Sequence, residues 1–303
     1  MKCHIYGYWE SGQPSSSSDA LLYKLIEEAC GECIEFTTSL KDAELVILMP
    51  YLSSKIRRWA LAQLYFRKNK EATYLLNAIF RIKSHQKVLA VTYENLDHRS
   101  WYWFGKLIRQ LNIPRLTFWP DVIDSGGCRF PYWWNFVRFE NYILSENAYK
   151  RYGVPLELDR LLSPLDIPNQ RIDAVCVLTR HLRWPRDQQL KSLEKNYQVD
   201  VYQHGTNRQW DKTKFELLQK YKYAFAAENS IGYGYETEKL PEAWMAGCIP
   251  VGHELNPFSD FRKELNQAYD RVDDSYFANF GMLNNAPNLT KVVSYISKRV
   301  FKP

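Results

Sequence analysis

The chain has 303 residues, of which 46% are hydrophobic and 24% charged, a globular composition that excludes a disordered chain. Its net charge of +6 is spread thinly: no basic block is longer than Lys55-Ile56-Arg57-Arg58, and no zinc-finger or RNA-recognition signature is present, which excludes a dedicated nucleic-acid binder. No run reaches the roughly 18 apolar residues of a membrane helix, and the opening Met1 to Tyr8 reads as a strand, not as a signal peptide.

Six cysteines, Cys3, Cys30, Cys33, Cys128, Cys176 and Cys248, are scattered along the chain. Cys30 and Cys33 have redox or half-zinc spacing, but a zinc site needs a second such pair, so no metal is expected. A reducing, cytoplasmic compartment fits this usage. The sequon at Asn288-Leu-Thr290 carries no weight without a secretory signal.

In chain order, His4 to Tyr8 reads as a strand, Gly12 to Ser18 as a loop, and Asp19 as the cap of a helix from Ala20 to Ala29. Ile34–Thr37 and the wholly apolar Ala43–Met49 follow as strands, and Lys55–Ile82 as a helix with apolar positions three and four apart. Lys87–Thr92 is a further strand, running out into Tyr93-Glu94-Asn95. Strands that are apolar on both faces and separated by helices predict a parallel sheet covered on both sides. The polar, Pro-punctuated Ser145–Gln170 reads as a linker.

The rhythm then restarts. Strands are expected at Ala174–Leu178, Val199–Tyr202, Tyr223–Ala227 and Ile249–Val251, with helices at Gln188–Asn196, Lys212–Tyr221 and Lys239–Ala246. The expected architecture is α/β: two Rossmann-like parallel-sheet domains facing a central cleft, spanning 1–150 and 151–288. A basic amphipathic helix fills 289–303. Its apolar side packs on the protein or lies peripherally on a membrane. In such sheets ligands bind beyond the carboxyl ends of the strands, so residues just after strands are the candidates for chemistry.

Tyr223 to Val251 is the most informative stretch. A buried strand runs out at Glu228-Asn229 into a glycine-containing loop, Thr237 is placed to cap, and Glu238 and Lys239 open a helix. Backbone amides at a helix start attract phosphate, Lys239 adds a positive charge, and a carboxylate can accept from both hydroxyls of a ribose. The same residues would also make an ordinary capped strand–loop–helix joint with a solvated Glu–Lys pair, and the residues alone leave both readings open.

The run E-N-S-I-G-Y-G-Y-E-T-E-K-L from Glu228, followed by A-G-C-I-P-V, closely resembles the donor-binding signature of the α1,3/4-fucosyltransferases. Weaker similarities keep the family's order: Trp184-Pro-Arg186-Asp187, Val199-Asp-Val-Tyr202, Val91-Thr-Tyr-Glu94-Asn95 and Arg129-Phe-Pro-Tyr-Trp133. The resemblance implies a GT-B-like fold and an inverting transfer of fucose from GDP-fucose to a hydroxyl of a glycan acceptor. By it, Asn229, Tyr235, Glu238 and Lys239 hold the ribose and diphosphate, Arg186 pairs with the diphosphate, and Glu94 is the base. Arg186, Lys239 and helix-start amides would stabilise the leaving diphosphate; with no Asp-x-Asp motif, the transfer is expected to require no metal or other cofactor.

Aromatic faces near strand ends suit a sugar acceptor. Trp9 with Glu10, Trp101 and Trp103, and Arg129 are the acceptor-side candidates, whereas Trp133 and Trp134 read as core. One departure stands out. After I-P-V the family continues with Y-W-G, whereas this chain has Gly252 to Asp260, so the transferred sugar could differ from fucose, with His253 and Glu254 near it. Two alternatives remain: the same scaffold with another nucleotide sugar, and a catalytically silent carbohydrate-binding protein. Retention of Glu94, Arg186, Glu238 and Lys239 argues against the silent form.

Overall fold

The computed structural model describes residues 1–7, 20–66, 71–142, 144, 146–165, 170–203, 213–252 and 287–302. The chain divides into two compact units: Met1–Pro131 together with Asn288–Pro303, and Tyr132–Pro287.

The first unit runs β1 (Lys2–Tyr6), α1 (Ala20–Cys30), β2 (Glu35–Phe36), β3 (Leu45–Leu48), α2 (Ser54–Phe66), α3 (Ala72–Phe80), β4 (Lys87–Val91), α4 (Tyr102–Gln110), β5 (Arg115–Thr117) and β6 (Cys128–Arg129). Its strands form one parallel sheet in the order β2-β1-β3-β4-β5-β6. β3 shows why the sheet forms: Leu45, Val46, Ile47 and Leu48 are all fully buried. Each such side chain contributes about 1.5–3 kcal/mol relative to exposure, and only a strand covered on both faces gains it at every position. The single helix expected over Lys55–Ile82 is two helices. Glu71 between them is extended, and Arg81 ends the second in the left-handed region at φ 62°.

The second unit opens with a 3₁₀ turn at Tyr132–Phe136 and continues β7 (Val137–Arg138), α5 (Glu146–Tyr149), β8 (Leu156–Glu157), α6 (Leu158–Leu162), β9 (Ile172–Thr179), α7 (Arg186–Leu193), β10 (Val199–Gln203), α8 (Lys214–Leu218), β11 (Tyr221–Phe225), α9 (Lys239–Met245) and β12 (Ile249–Val251). The sheet order is β10-β9-β11-β12, again parallel. The stretch read as a linker is folded into this unit. β8 pairs with β7, the Lys214 and Phe215 amides donate to the carbonyls of Arg151 and Tyr152, and Thr213 with Glu216 forms a capping box. The contact boundary accordingly lies at Pro131/Tyr132, ahead of residue 150.

The C-terminal helix α10 (Leu289–Ile296), prolonged by a wider turn over Ser297–Phe301, belongs to the first unit. It packs on α1 with Val292, Ile296 and Val300 buried. The Tyr295 hydroxyl accepts from the Arg115 amide at 3.0 Å and donates to the Gly126 carbonyl at 2.8 Å. Lys291 pairs with Asp121, and the Lys87 ammonium lies 5.1 Å from the Phe301 ring centroid. The apolar side is therefore covered by protein, which corrects the peripheral-membrane alternative for this helix. Among the described residues no helix is long and apolar enough to cross a membrane. Because Ile296 is fully buried, Ile296→Ala should lower stability by about 2–5 kcal/mol, read as a fall in the urea midpoint; an unchanged midpoint would show that the helix adds nothing to the unit.

Candidate active site

In the second unit the strand order reverses between β9 and β11, so the loops leaving their carboxyl ends diverge at that point. β9 delivers Thr179, the start of α7 delivers Arg186, and the exit of β11 delivers Glu228 and Asn229. Arg186 is only 5% exposed. Its Nη1 donates to the Thr179 hydroxyl at 2.9 Å, the His181 carbonyl at 3.3 Å and Asn229 Oδ1 at 3.4 Å. Its guanidinium carbon lies 5.4 Å from the Phe225 ring centroid. Nε is buried with no hydrogen-bond partner among the described residues. Burial lowers the guanidinium pKa and Glu228 and Glu238 oppose the fall; the group stays cationic.

Glu228 organises the start of α9. It is buried, and Oε1 accepts from the Thr237 amide at 2.6 Å and the Thr237 hydroxyl at 2.9 Å, while Oε2 accepts from Lys239 Nζ at 2.7 Å. Lys239 also donates to the Thr237 hydroxyl at 2.6 Å, which leaves one of its three donors without a partner among the described residues. Thr237, expected to cap the helix, instead serves Glu228. The cap position is Glu238, which makes no side-chain cap bond. Burial pushes the Glu238 carboxyl up, but Lys239 and Lys214 outweigh it and hold its pKa down at about 2. Burial weakens the Lys239 ammonium, yet Glu228 and Glu238 raise its pKa overall. Tyr235 is 7% exposed, so little of its ring is open to a ligand.

Behind these groups Lys214 pairs with Glu242 at 2.6 Å and stands 3.9 Å from Glu238. Burial raises the Glu242 pKa to about 7 against the pull of Lys214. Tyr152 donates to the Glu242 carbonyl at 2.5 Å. A cavity of about 30 Å³ beside Lys214, Lys239 and Glu242 has room for a water-sized molecule and none for a substrate.

The first unit repeats the device. Its strand order reverses between β1 and β3. Gly7 leaves β1 at φ +84°, and a Cβ there would stand 2.5 Å from the Met49 carbonyl oxygen, so only glycine fits. The Tyr51 amide donates to the Gly7 carbonyl at 3.0 Å. Half-buried Glu94 follows β4, with its amide donating to the Thr92 hydroxyl at 3.0 Å. Tyr51 donates to Glu94 Oε1 at 2.9 Å, and the Trp101 ring stands against Tyr51 beside it. Burial raises the Glu94 pKa above its ordinary value, while Tyr51, Trp101 and His98 pull against that rise.

Of the sequence-predicted residues, Arg186, Asn229, Glu238 and Lys239 gather on the β9 and β11 side of the second unit, and Trp101 lies beside Glu94. Trp103 is a correction: it is 3% exposed and packs edge-on to Phe104 in the core at 5.5 Å, because position 103 falls on the inward face of α4. Arg129, on β6, donates to the Phe118 carbonyl. Trp133 and Trp134 are buried, as read. Trp9, Glu10, His253 and Glu254 lie outside the described residues. Sequence reasoning missed Thr179, Lys214, Glu242 and Tyr51, and it did not see Glu228 as the group that holds Lys239. For Tyr51 and Thr179 a signal existed, since Thr179 closes β9 and Tyr51 follows β3, each a buried strand at a reversal of strand order.

Two parallel sheets with polar clusters at their reversal points define the class: an α/β protein with the two-sheet glycosyltransferase fold. Two crystal structures of α1,3-fucosyltransferase match 98% of this chain. One, with GDP-fucose, has TM-score 0.58 at 15% identity over 89% of its own length; the other has TM-score 0.53 at 17% identity over 77%. Residues 169–276, all within the second unit, match the family described as "Glycosyltransferase family 10 (fucosyltransferase) C-term". The α-(1,3)-fucosyltransferase FucT of Helicobacter pylori is 37% identical over 73 residues, 20% of this chain, and the match spans about 15% of that relative's length.

Removing Lys214 would leave Glu242 buried and unpaired. Lys214→Met should therefore cost about 3–5 kcal/mol in urea denaturation, most of it restored in Lys214→Met/Glu242→Leu; a loss below about 1 kcal/mol would mean the pair carries little.

Proposed function

We propose that the chain is an inverting glycosyltransferase that moves fucose from GDP-fucose to a hydroxyl of a glycan acceptor. The observation that carries this is the polar cluster at the β9/β11 reversal: a buried guanidinium with an unpartnered Nε, beside an ammonium with a donor to spare, on the domain that matches family 10. A cation this buried costs desolvation, which a structural role would offset with a full set of partners. Among the described residues Arg186 is held on Nη1 alone. That geometry suits an anion bound at Nε, and the fork of a guanidinium matches a phosphate. Asn229 and Glu238 flank it as groups for the ribose.

The reaction requires one proton transfer and one bond exchange at the anomeric carbon. The acceptor hydroxyl gives its proton to Glu94 as its oxygen bonds to that carbon. The bond from the carbon to the diphosphate oxygen breaks, and GDP departs with the electron pair. Arg186 and Lys239 meet the negative charge that develops on the diphosphate, and they are oriented before the reaction starts. Glu94 suits the base: it stands at a strand end, its pKa is raised, and a base works best when its pKa approaches the operating pH.

Two measurements test this reading. In a thermal-shift series with GDP, UDP, CMP and their sugars, GDP and GDP-fucose should raise the melting temperature; stabilisation by UDP-sugars with none from GDP would sink the donor assignment. Glu94→Gln should keep its GDP-fucose affinity while GDP release from GDP-fucose falls by about 10²–10⁴-fold; near-normal release would remove Glu94 from the base role.

A further inference from the structure

We propose that Tyr51 is a positioning residue of this reaction, holding the carboxyl of Glu94 in one orientation by the hydrogen bond from its hydroxyl. The inference rests on the reading of Glu94 as the base.

Tyr51 reaches Glu94 from the neighbouring strand of the sheet. β3 and β4 are adjacent, and both side chains lie beyond their carboxyl ends. The backbone of Tyr51 is itself fixed, since its amide donates to the Gly7 carbonyl at 3.0 Å across the reversal point. Its ring meets Trp101 edge-on, with centroids 5.4 Å apart and planes at 79°. The hydroxyl is therefore anchored from two sides before it donates to Glu94 Oε1 at 2.9 Å. A single-bonded carboxyl otherwise turns freely about its last torsion, whereas a donor held in place fixes it.

The bond acts on proton affinity as well as on direction. Burial favours the neutral carboxyl of Glu94, and a neutral carboxyl cannot take a proton. Donation from Tyr51 favours the charged form, with smaller help from Trp101 and from His98 in the same loop. Among the described residues, Asp97 accepts from the Trp119 ring nitrogen at 3.3 Å, and Arg57, on α2, donates to the Arg99 carbonyl at 3.4 Å. Donation from Tyr51 thus helps to keep this carboxyl ionised, and removing its hydroxyl sends the proton affinity up. The wild-type carboxyl can take a proton only above its raised pKa. Without Tyr51 that threshold moves to higher pH.

The test is Tyr51→Phe, which retains the ring against Trp101 and removes only the hydroxyl. The carboxyl stretch of Glu94, assigned by infrared difference against Glu94→Gln, gives its titration without any substrate. The midpoint in Tyr51→Phe should move to higher pH by about one unit, the tenfold change in proton affinity expected for one lost bond to an ionised group. The acid limb of GDP release from GDP-fucose should move with it, with GDP affinity unchanged. A fluorinated tyrosine incorporated at position 51 keeps the shape of the side chain and donates more strongly, so it should move the midpoint the other way even if Tyr51→Phe proves unstable. An unmoved midpoint in both variants overturns the inference while leaving the base reading intact, provided Glu94→Gln is inactive. Near-normal GDP release by Glu94→Gln would overturn both.

Discussion

A parallel strand covered on both faces leaves polar chemistry only at its ends, and that constraint shapes both units. β3 is buried along its whole length, and β9 is buried from Ala174 to Val177. Charged groups cannot sit among those residues without large desolvation, so they collect where the strands run out. Where the strand order reverses, the departing loops part and leave polar groups from adjacent strands beside each other. Thr179, Arg186 and Asn229 meet in this way in one unit, as do Gly7 and Tyr51 in the other, with Glu94 leaving the next strand. The position of each cluster thus follows from the same hydrophobic burial that forms the sheet.

Charge balance sets what the cluster at the β9/β11 reversal can do. Arg186, Lys214 and Lys239 stand against Glu228, Glu238 and Glu242, so the buried part carries paired ions instead of a bare excess. The pairing is graded. Lys214 and Glu242 are deepest and closed on each other, Lys239 is partly engaged, and Arg186 is held on one nitrogen. A closed pair fixes geometry; a partly engaged cation can still answer an added negative charge. The cost of ordering the cations is met on folding, which is what preorganisation means in physical terms.

Much of this was legible in the amino-acid sequence, and the exceptions have physical reasons. Long apolar strands such as Ala43–Met49 announce themselves. β5 and β6 do not: with three and two residues they are too short for a pattern, and β5 opens on Arg115, whose charge is concealed by its buried pairing with Asp124. Apolar spacing carried through Lys55–Ile82 gave no sign of the break at Glu71. The α10 stripe was visible, but not its partner, because a hydrophobic face specifies that it is covered and not by what. At the β11 exit the fold gathers the residues of the signature, but Thr237, read as a cap, does not cap the helix. A sequence does not show that Glu228 turns inward to take both Thr237 and Lys239.

Glu228 and Glu94 show how environment divides the work between carboxylates. Each follows a strand end, and in the sequence each is a Glu before an Asn. Glu228 accepts from a backbone amide, a hydroxyl and an ammonium, so both of its oxygens are committed to fixed donors and a protonated form would disrupt all three contacts. It can orient Lys239, but it is badly suited to take up a proton during a reaction. Among the described residues Glu94 has no ammonium partner, and burial raises its pKa. A carboxyl that can gain and lose a proton with little rearrangement suits a base, and one locked by an ion pair suits a scaffold. The difference lies in the donors that folding brings to each, an ammonium in one case and a tyrosine hydroxyl in the other.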